Sequence, residues 1–402
     1  MTFPSGFRAL NHRDFRIFFA GQAVSLVGTW MQQVAQAWLV LSLTDSALRL
    51  GLVGSLSFLP VLLFAILGGA VADRLPKRRL LIATQSLMAA QTLTLATLVW
   101  TGRVRYWHVC ALVVVWGIAN TIDLPTRQSF VVELVDRGAV PNAVALNSAA
   151  FNAARIVGPG VGGLLIARAG IAPAYILNCV AFVVVIATLL LVRARGAPLP
   201  RAGRGIAAES GEGLAYARRT PRIMLVLGVL FVISITVFNF SIYVPLFARN
   251  VVQRGPEGLG LLMASVGVGA VGGALTLGVL RSPSVVLLFV TGFLSCGGLL
   301  LMSVLRDFVV AALTLFLLGW VSVIVVTGCN VALQLAAPDA LRGRIMSLHT
   351  FIYGGVFPFG AFSVGSISEQ WGVPIAFRTA GIFGLVGLGA VLAWWRLRAP
   401  DA

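Results

Sequence analysis

The chain has 402 residues, 58% hydrophobic and only 11% charged, where soluble domains carry about 25% charged residues, which excludes a water-soluble globular protein. Thirty Lys and Arg against thirteen Asp and Glu give a formal net charge of +17. In a membrane protein such an excess marks cytoplasmic loops, so the charge is read as topology and not as a nucleic-acid surface.

A helix needs roughly 20 apolar residues to cross the ~30 Å hydrocarbon core. Apolar runs between charged or Gly/Pro breaks predict twelve spans, at 16–43, 50–72, 79–100, 107–127, 142–168, 172–193, 222–249, 258–280, 284–304, 308–336, 345–368 and 373–396. Met1 to Arg16 is polar and basic, and the apolar run after it is longer than the core of a secretory signal, so the first span is expected to serve as its own insertion signal. With both termini cytoplasmic, 21 basic residues fall on inner segments and 8 on outer ones, with Arg155 inside the membrane.

The first span carries Gln22, Ser25, Thr29, Gln32 and Gln36 at steps of three and four, a single polar stripe. Such a stripe lines a solute path or makes interhelical hydrogen bonds; three glutamines favour the path. Trp30 and Trp38 stand close to it, for stacking on a flat or greasy molecule or for packing. Between the second and third spans lies a charged knot, Gly69-Ala70-Val71-Ala72-Asp73-Arg74-Leu75-Pro76-Lys77-Arg78-Arg79. The fourth span has a shorter polar stripe, Trp116, Asn120, Asp123 and Arg127.

Arg155 lies 13 residues beyond Asn142, about 20 Å into the fifth helix. An unpaired Arg at that depth costs at least ~2.5 kcal/mol and keeps its proton, so it must face polar groups or water. It shares a face with Ser148, Asn152 and Pro159 and is read either as a contact for an anionic or polar substrate group or helix latch, or as a structural Arg bonded to carbonyls. Gly158-Pro159-Gly160, followed by Gly162-Gly163, combines a proline kink with small residues that admit a neighbouring helix.

Ala194 to Pro221, rich in Arg, Gly and Pro, separates six spans from six. The predicted organisation is an N-terminal bundle at 1–193, a cytoplasmic linker at 194–221 and a C-terminal bundle at 222–402. Thr236, Asn239 and Tyr243 form the stripe of the seventh span; Thr327, Asn330 and Gln334 form that of the tenth. The halves echo one another at offsets of 202 to 204 residues. Gly68-Gly69 answers Gly272-Gly273, Lys77 answers Arg281, and Gly117, Leu146, Gly158 and Gly163 answer Gly319, Leu348, Gly360 and Gly365. The fold expected is an all-α membrane protein of twelve transmembrane helices in two pseudo-symmetric six-helix bundles.

The knot resembles the G-x-L-x-D-R-x-G-R-R loop of the major facilitator superfamily. Gly69, Asp73, Arg74, Lys77 and Arg78 match, while Pro76 replaces the second glycine and Val71 the leucine. Asp123-Leu-Pro125-Thr-Arg127, Asn142 to Asn147 and Ala154 to Gly163 resemble the branch of enterobactin exporters, macrolide efflux pumps and transmembrane secretion effectors. The resemblance implies export. It implies that the first, fourth, seventh and tenth helices border a central cavity, and that Gly158 and Pro159 belong to an antiporter-like fifth helix. It also implies that Asp73 pairs with Arg127 and meets the eleventh helix near Arg344 as a cytoplasmic latch; a purely topogenic knot is the alternative.

No G-x-x-x-x-G-K-[ST] loop is present. All thirteen acids sit in loops or near helix ends, Asp123 nearest the membrane, so secondary transport is expected with no proton-carrying residue assigned. Cys110, Cys179, Cys296 and Cys329 lie singly in apolar runs without metal-ligand spacing. No cofactor, metal or nucleic acid is expected, and no nucleophile with a base supports an enzyme. The expectation is a monomeric, multi-pass protein of the bacterial inner membrane that exports a small amphiphilic molecule such as a drug, siderophore or other secreted metabolite, with protons as the coupling ion. Nutrient uptake by symport and lipid flipping are the alternatives on the same fold.

Overall fold

A computed structural model describes residues 5–194, 196, 214–280, 283–338 and 341–398, except the side chains of Ser5, Gly6, Ile66, Ala70 and Asp73. Among these residues there are helices and no strands. The first half contains α1 (Arg13–Thr44), α2 (Ala47–Arg74), α3 (Lys77–Trp100), α4 (Tyr106–Glu133), α5 (Val140–Ala169) and α6 (Ile171–Leu191). The second contains α7a (Pro221–Thr236), α7b (Phe240–Asn250), α8 (Pro256–Val279), α9 (Val285–Met302), α10 (Phe308–Ala336), α11a (Arg342–Gly355), α11b (Phe357–Trp371) and α12 (Val373–Arg398). Most of the predicted linker lies outside the described residues.

Eleven spans are long and apolar enough to cross a bilayer when α7a/α7b and α11a/α11b each count as one. The 32-residue α1 is a further long helix, less apolar because its stripe of glutamines interrupts the hydrophobic run. The predicted seventh and eleventh spans are each broken. In the eleventh, Pro358 follows the break at Val356 and removes a backbone donor. In the seventh, side chains replace part of the lost ladder: Asn239 Nδ2 donates to the Ile235 carbonyl at 3.0 Å and Tyr243 OH to the Thr236 carbonyl at 3.2 Å. Such replacement is what makes irregular backbone tolerable at membrane depth.

The helices group into two compact units. The first comprises Met1–Asp45, Leu59–Arg201 and Gly255–Ala264; the second comprises Ser46–Phe58, Ala202–Arg254 and Ser265–Ala402. In the first, α1 packs on α5 and α6, and α3 on α4 and α6. In the second, α9 packs on α10 and α12, and α7a on α12 and α10.

The glycines that repeat at an offset of 202 make corresponding contacts. A Cβ at Gly158 would lie 2.5 Å from Trp30 Cβ and 2.8 Å from the Val27 carbonyl of α1; one at Gly360 would lie 2.6 Å from the Ile235 carbonyl of α7a. Within the first unit, Gly163 of α5 faces Gly260 of α8, and within the second, Gly365 of α11b faces Gly51 of α2, each at about 3 Å from a hypothetical Cβ to the opposing Cα. Lipid tails are as apolar as Leu side chains, so membrane helices associate through such close backbone approach, which only a small residue permits.

Candidate functional site

The charged end of the first unit is built from α3 and α4. Asp123 is fully buried; it accepts from Thr84 Oγ1 at 2.8 Å and Gln85 Nε2 at 2.9 Å, and forms an ion pair with Arg127 one turn on. Lys77, 1% exposed, pairs with Glu133, and its amide donates to the Gly196 carbonyl at 3.3 Å. Arg78 donates through Nε to the Leu189 carbonyl at 2.7 Å and through Nη2 to that of Leu190 at 2.8 Å, meeting the negative end of α6.

The expected pairing of Asp73 with Arg127 falls on a side chain outside the described residues. The carboxylate on Arg127 here is Asp123, four residues earlier in the same helix. Gly69 and Arg74 lie at the end of α2, with nothing among the described residues within 4 Å of a Cβ placed on Gly69, and Arg344 lies in the first turn of α11a. Sequence reasoning missed Thr84, Gln85 and Glu133 as partners of this cluster. Two adjacent polar residues in the apolar run of α3 were the available signal for the first two.

Midway along α5, the Arg155 guanidinium stands over the Trp30 ring, 5.7 Å from its centroid, and Trp30 meets Phe151 edge to face at 5.6 Å. Asn152, one turn N-terminal, donates to the Ser148 carbonyl at 2.9 Å. The result is a half-buried cation on an aromatic platform, an arrangement worth about 0.5–2 kcal/mol that presents a fixed positive charge.

The α1 stripe divides. Gln32 is buried, and its Oε1 accepts from Thr92 of α3 at 3.1 Å and from Asn178 of α6 at 2.5 Å, which is interhelical bonding. Gln22 and Ser25 are buried, while Thr29 and Gln36 are half-buried, with Thr29 bonded to its own helix at Ser25. Asn120 in α4 is half-buried.

In the second unit Asn239 and Tyr243 are fully buried, and Tyr243 stacks on Phe377 at 4.6 Å. Gln334 is exposed and donates to Asn330 at 2.6 Å. One contact had no sequence signal. Glu369, at the end of α11b, accepts from Ser46 Oγ at 3.1 Å, the Ala47 amide at 2.7 Å and the Leu48 amide at 3.2 Å, so a carboxylate caps the N-terminus of α2. Replacing it by Gln keeps the shape and removes the charge. Glu369→Gln is expected to cost about 1 kcal/mol, read as a small fall in the unfolding midpoint of the purified protein; Glu369→Ala should cost more. Equal midpoints for all three proteins would contradict the cap.

Among the described residues no group of three His, Cys, Asp or Glu is placed to hold a metal ion. The profile of a family described as transmembrane secretion effectors matches residues 4–402. The chain is 23% identical to a staphyloferrin A transporter of Staphylococcus aureus, over 91% of this chain and 92% of that one. It is 27% identical to the multidrug efflux pump Tap of Mycolicibacterium fortuitum over 93% and 94%, and 24% identical to the enterobactin exporter EntS of Shigella boydii over 95% and 91%. Among solved structures, the nucleoside transporter NupG superposes with a TM-score of 0.75 at 11% identity over 95% of this chain and 98% of that one. A bacterial homologue of the human lysosomal transporter Spinster does so with 0.71 at 14% over 96% of each. At those identities the structures speak to the fold.

Proposed function

Because this chain belongs to the transmembrane secretion effector family of the major facilitator superfamily, we propose that it exports a small amphiphilic molecule across the bacterial inner membrane by alternating access. It is a multi-pass membrane transporter and not an enzyme. The relatives named for a drug, enterobactin and staphyloferrin A support a substrate of the drug or siderophore kind.

The observation that carries the reading is the Arg155, Trp30 and Phe151 cluster midway along α5. The Arg155 guanidinium places a positive charge there, over the Trp30 ring. Beside two aromatic rings it suits a molecule with an apolar body and a polar or anionic end. Asn152 on α5, Gln22, Ser25, Thr29 and Gln36 on α1, and Asn120 on α4 are the further contacts proposed in the first unit, while Gln32, expected from the sequence to join them, is bonded to Thr92 and Asn178 between helices. Asn239, Tyr243, Asn330 and Gln334 are those proposed in the second.

The switch is assigned to Gly69, Asp73, Arg74, Lys77, Arg78, Asp123, Arg127, Gly158, Pro159 and Arg344, with protons as the coupling ion and a monomer as the working form. Both termini are assigned to the cytoplasm on the distribution of basic residues. Arg155→Gln tests the binding role. Efflux of anionic amphiphiles is expected to fall about tenfold, as for loss of a charged contact, while neutral ones leave at closer to the original rate and the amount of inserted protein is unchanged. Unchanged efflux of every compound would remove Arg155 from the substrate path.

A further inference from the structure

His349 lies seven residues into α11a, about 10 Å from the first residue of that helix, inside the membrane-crossing segment Arg342–Trp371. The other two histidines stand at helix starts. His12 precedes α1 and pairs with Asp136, and His108 is in the first turn of α4, where its Nδ1 accepts from the Arg105 amide. His349 is 7% exposed, and its Nε2 has no hydrogen-bond partner among the described residues. A buried ring nitrogen left unsatisfied carries a desolvation cost that an apolar side chain of similar size would avoid, and an ionisable group inside a span points to function.

No carboxylate is placed to fix its charge. α11a packs on α7a, α10 and α11b. α7a carries one charged residue, Arg222 in its first turn; α10 carries none, its one titratable group being the Cys329 thiol; α11b carries Glu369 at its far end, bonded to the start of α2. Within α11a itself, Arg342 and Arg344 stand in the first turn and Tyr353 one turn beyond His349. The acids elsewhere near the spans are already matched, Asp123 by Arg127 and Glu133 by Lys77. Imidazole is the side chain whose ordinary charge change falls between about pH 5 and 8.

A polar route leads towards it. Arg342 Nε donates to the Gln334 carbonyl at 3.2 Å, which sets α10 against α11a. Measured along each helix from that bond, Asn330 lies about 6 Å inward on α10 and His349 about 10 Å inward on α11a. Exposed Gln334 and half-buried Asn330, bonded to each other, therefore supply polar groups from the end of α10 nearly to the level of His349.

The imidazole also touches the broken part of α7 through one intermediary. Its ring stacks on Tyr353, 6.1 Å between centroids and 15° between planes, and Tyr353 meets Phe238 edge to face at 5.2 Å. Phe238 lies between α7a and α7b, beside Asn239. An imidazolium is attracted to the face of an aromatic ring by its charge, as the neutral ring is not, so a proton on His349 alters the contact that Tyr353 makes with the break.

We propose that His349 carries the coupling proton, an inference that rests on the proton-driven export proposed above. In the Nδ1–H tautomer the Nε2 lone pair takes a proton from water on one side of the membrane and becomes imidazolium. The same N–H bond breaks to return the proton to water on the other side, so the ring ends each cycle as it began. Asn239, Asn330 and Gln334, proposed above as substrate contacts, belong to the same break and the same route, which is where proton and substrate act on one another.

The first test needs no substrate. The full chain, labelled in its histidine rings, is reconstituted in phosphatidylcholine nanodiscs and its ring signals are followed by NMR from about pH 5 to 8. His349→Gln identifies the signal by its loss, and His349→Asn does so if that variant does not fold. Reversible titration of the His349 ring is expected; a ring that keeps its neutral signal throughout overturns the assignment.

The second test uses everted membrane vesicles with rhodamine 6G and 8-anilinonaphthalene-1-sulfonate as probes. Parent vesicles are expected to accumulate at least one of them in a pH-dependent way that a protonophore abolishes. His349→Gln should lose both the accumulation and its pH dependence while the probe still exchanges down its gradient, a pattern that a misfolded protein would not give. Accumulation retained in full by inserted His349→Gln overturns the role of His349 and leaves proton-driven export standing. Parent accumulation that ignores the protonophore removes proton coupling itself, and the role of His349 with it. With neither probe carried, the ring titration decides.

Discussion

Asp123→Ala is expected to destabilise the protein by about 3–5 kcal/mol and to abolish transport, the largest effect of any single polar substitution in the first unit. Asp123 is completely buried, and it is the carboxylate paired with Arg127 and the acceptor for Thr84 and Gln85. Removing it strands the Arg127 guanidinium and leaves Gln85 Nε2 without its acceptor, while Thr84 keeps the Leu81 carbonyl at 3.1 Å. Most of the cost is the stranded charge and not the lost attraction, so the double change Asp123→Ala, Arg127→Ala should recover a large share of it. Asp123→Asn, which preserves the shape and an acceptor oxygen but not the charge, should fall between. Unfolding midpoints of the four proteins in detergent check this. Additive losses in the double variant would mean that the two residues do not act as a pair.

Gly158→Leu is expected to be as damaging by a different route. A side chain at Gly158 would meet the Trp30 Cβ, the Val27 carbonyl and the Met31 amide of α1, so backbone as well as side chain must yield. Overpacking costs about 1–3 kcal/mol where only side chains shift, and more is expected where a helix must be pushed away. Displacing α1 from α5 also moves Trp30 from beneath Arg155, and efflux should be lost with it. Gly160, two residues on, is the internal control. Nothing lies within 4 Å of a Cβ there, so Gly160→Ala should be neutral or stabilise by roughly 0.5–1 kcal/mol through helix propensity. Protein yield and thermal midpoint of the two variants separate them; equal tolerance at both positions would contradict the packing described.

Much of the fold was legible because membrane helices write themselves as long apolar runs, and because duplication leaves small residues at matching positions. Gly158 and Gly360 were visible as an echo in the sequence, and the structure supplies the reason: each lies against the first helix of its own half. Breaks were harder. Pro358 was in plain view inside a predicted span, but the interruption near Asn239 depends on two side chains reaching carbonyls of the preceding turn.

The candidate site was legible in residue type and not in partnership. Gln32 reads equally well as a cavity wall or a bond between helices until Thr92 and Asn178, 60 and 146 residues away, are seen on its carbonyl oxygen. The resemblance implied Asp73 as the partner of Arg127, whereas the carboxylate seen on Arg127 is Asp123, one turn earlier in the same stripe of α4. Glu369 looked like an ordinary loop acid, since capping of a helix 322 residues away along the chain has no local signature.

The measurement that bears most directly on export is accumulation of a panel of fluorescent cationic, neutral and anionic catecholate-like compounds in cells with and without the protein, repeated after a protonophore. Lower accumulation of at least one amphiphilic class, reversed by the protonophore, is the predicted result. Raised accumulation in the cells that carry the protein would contradict export.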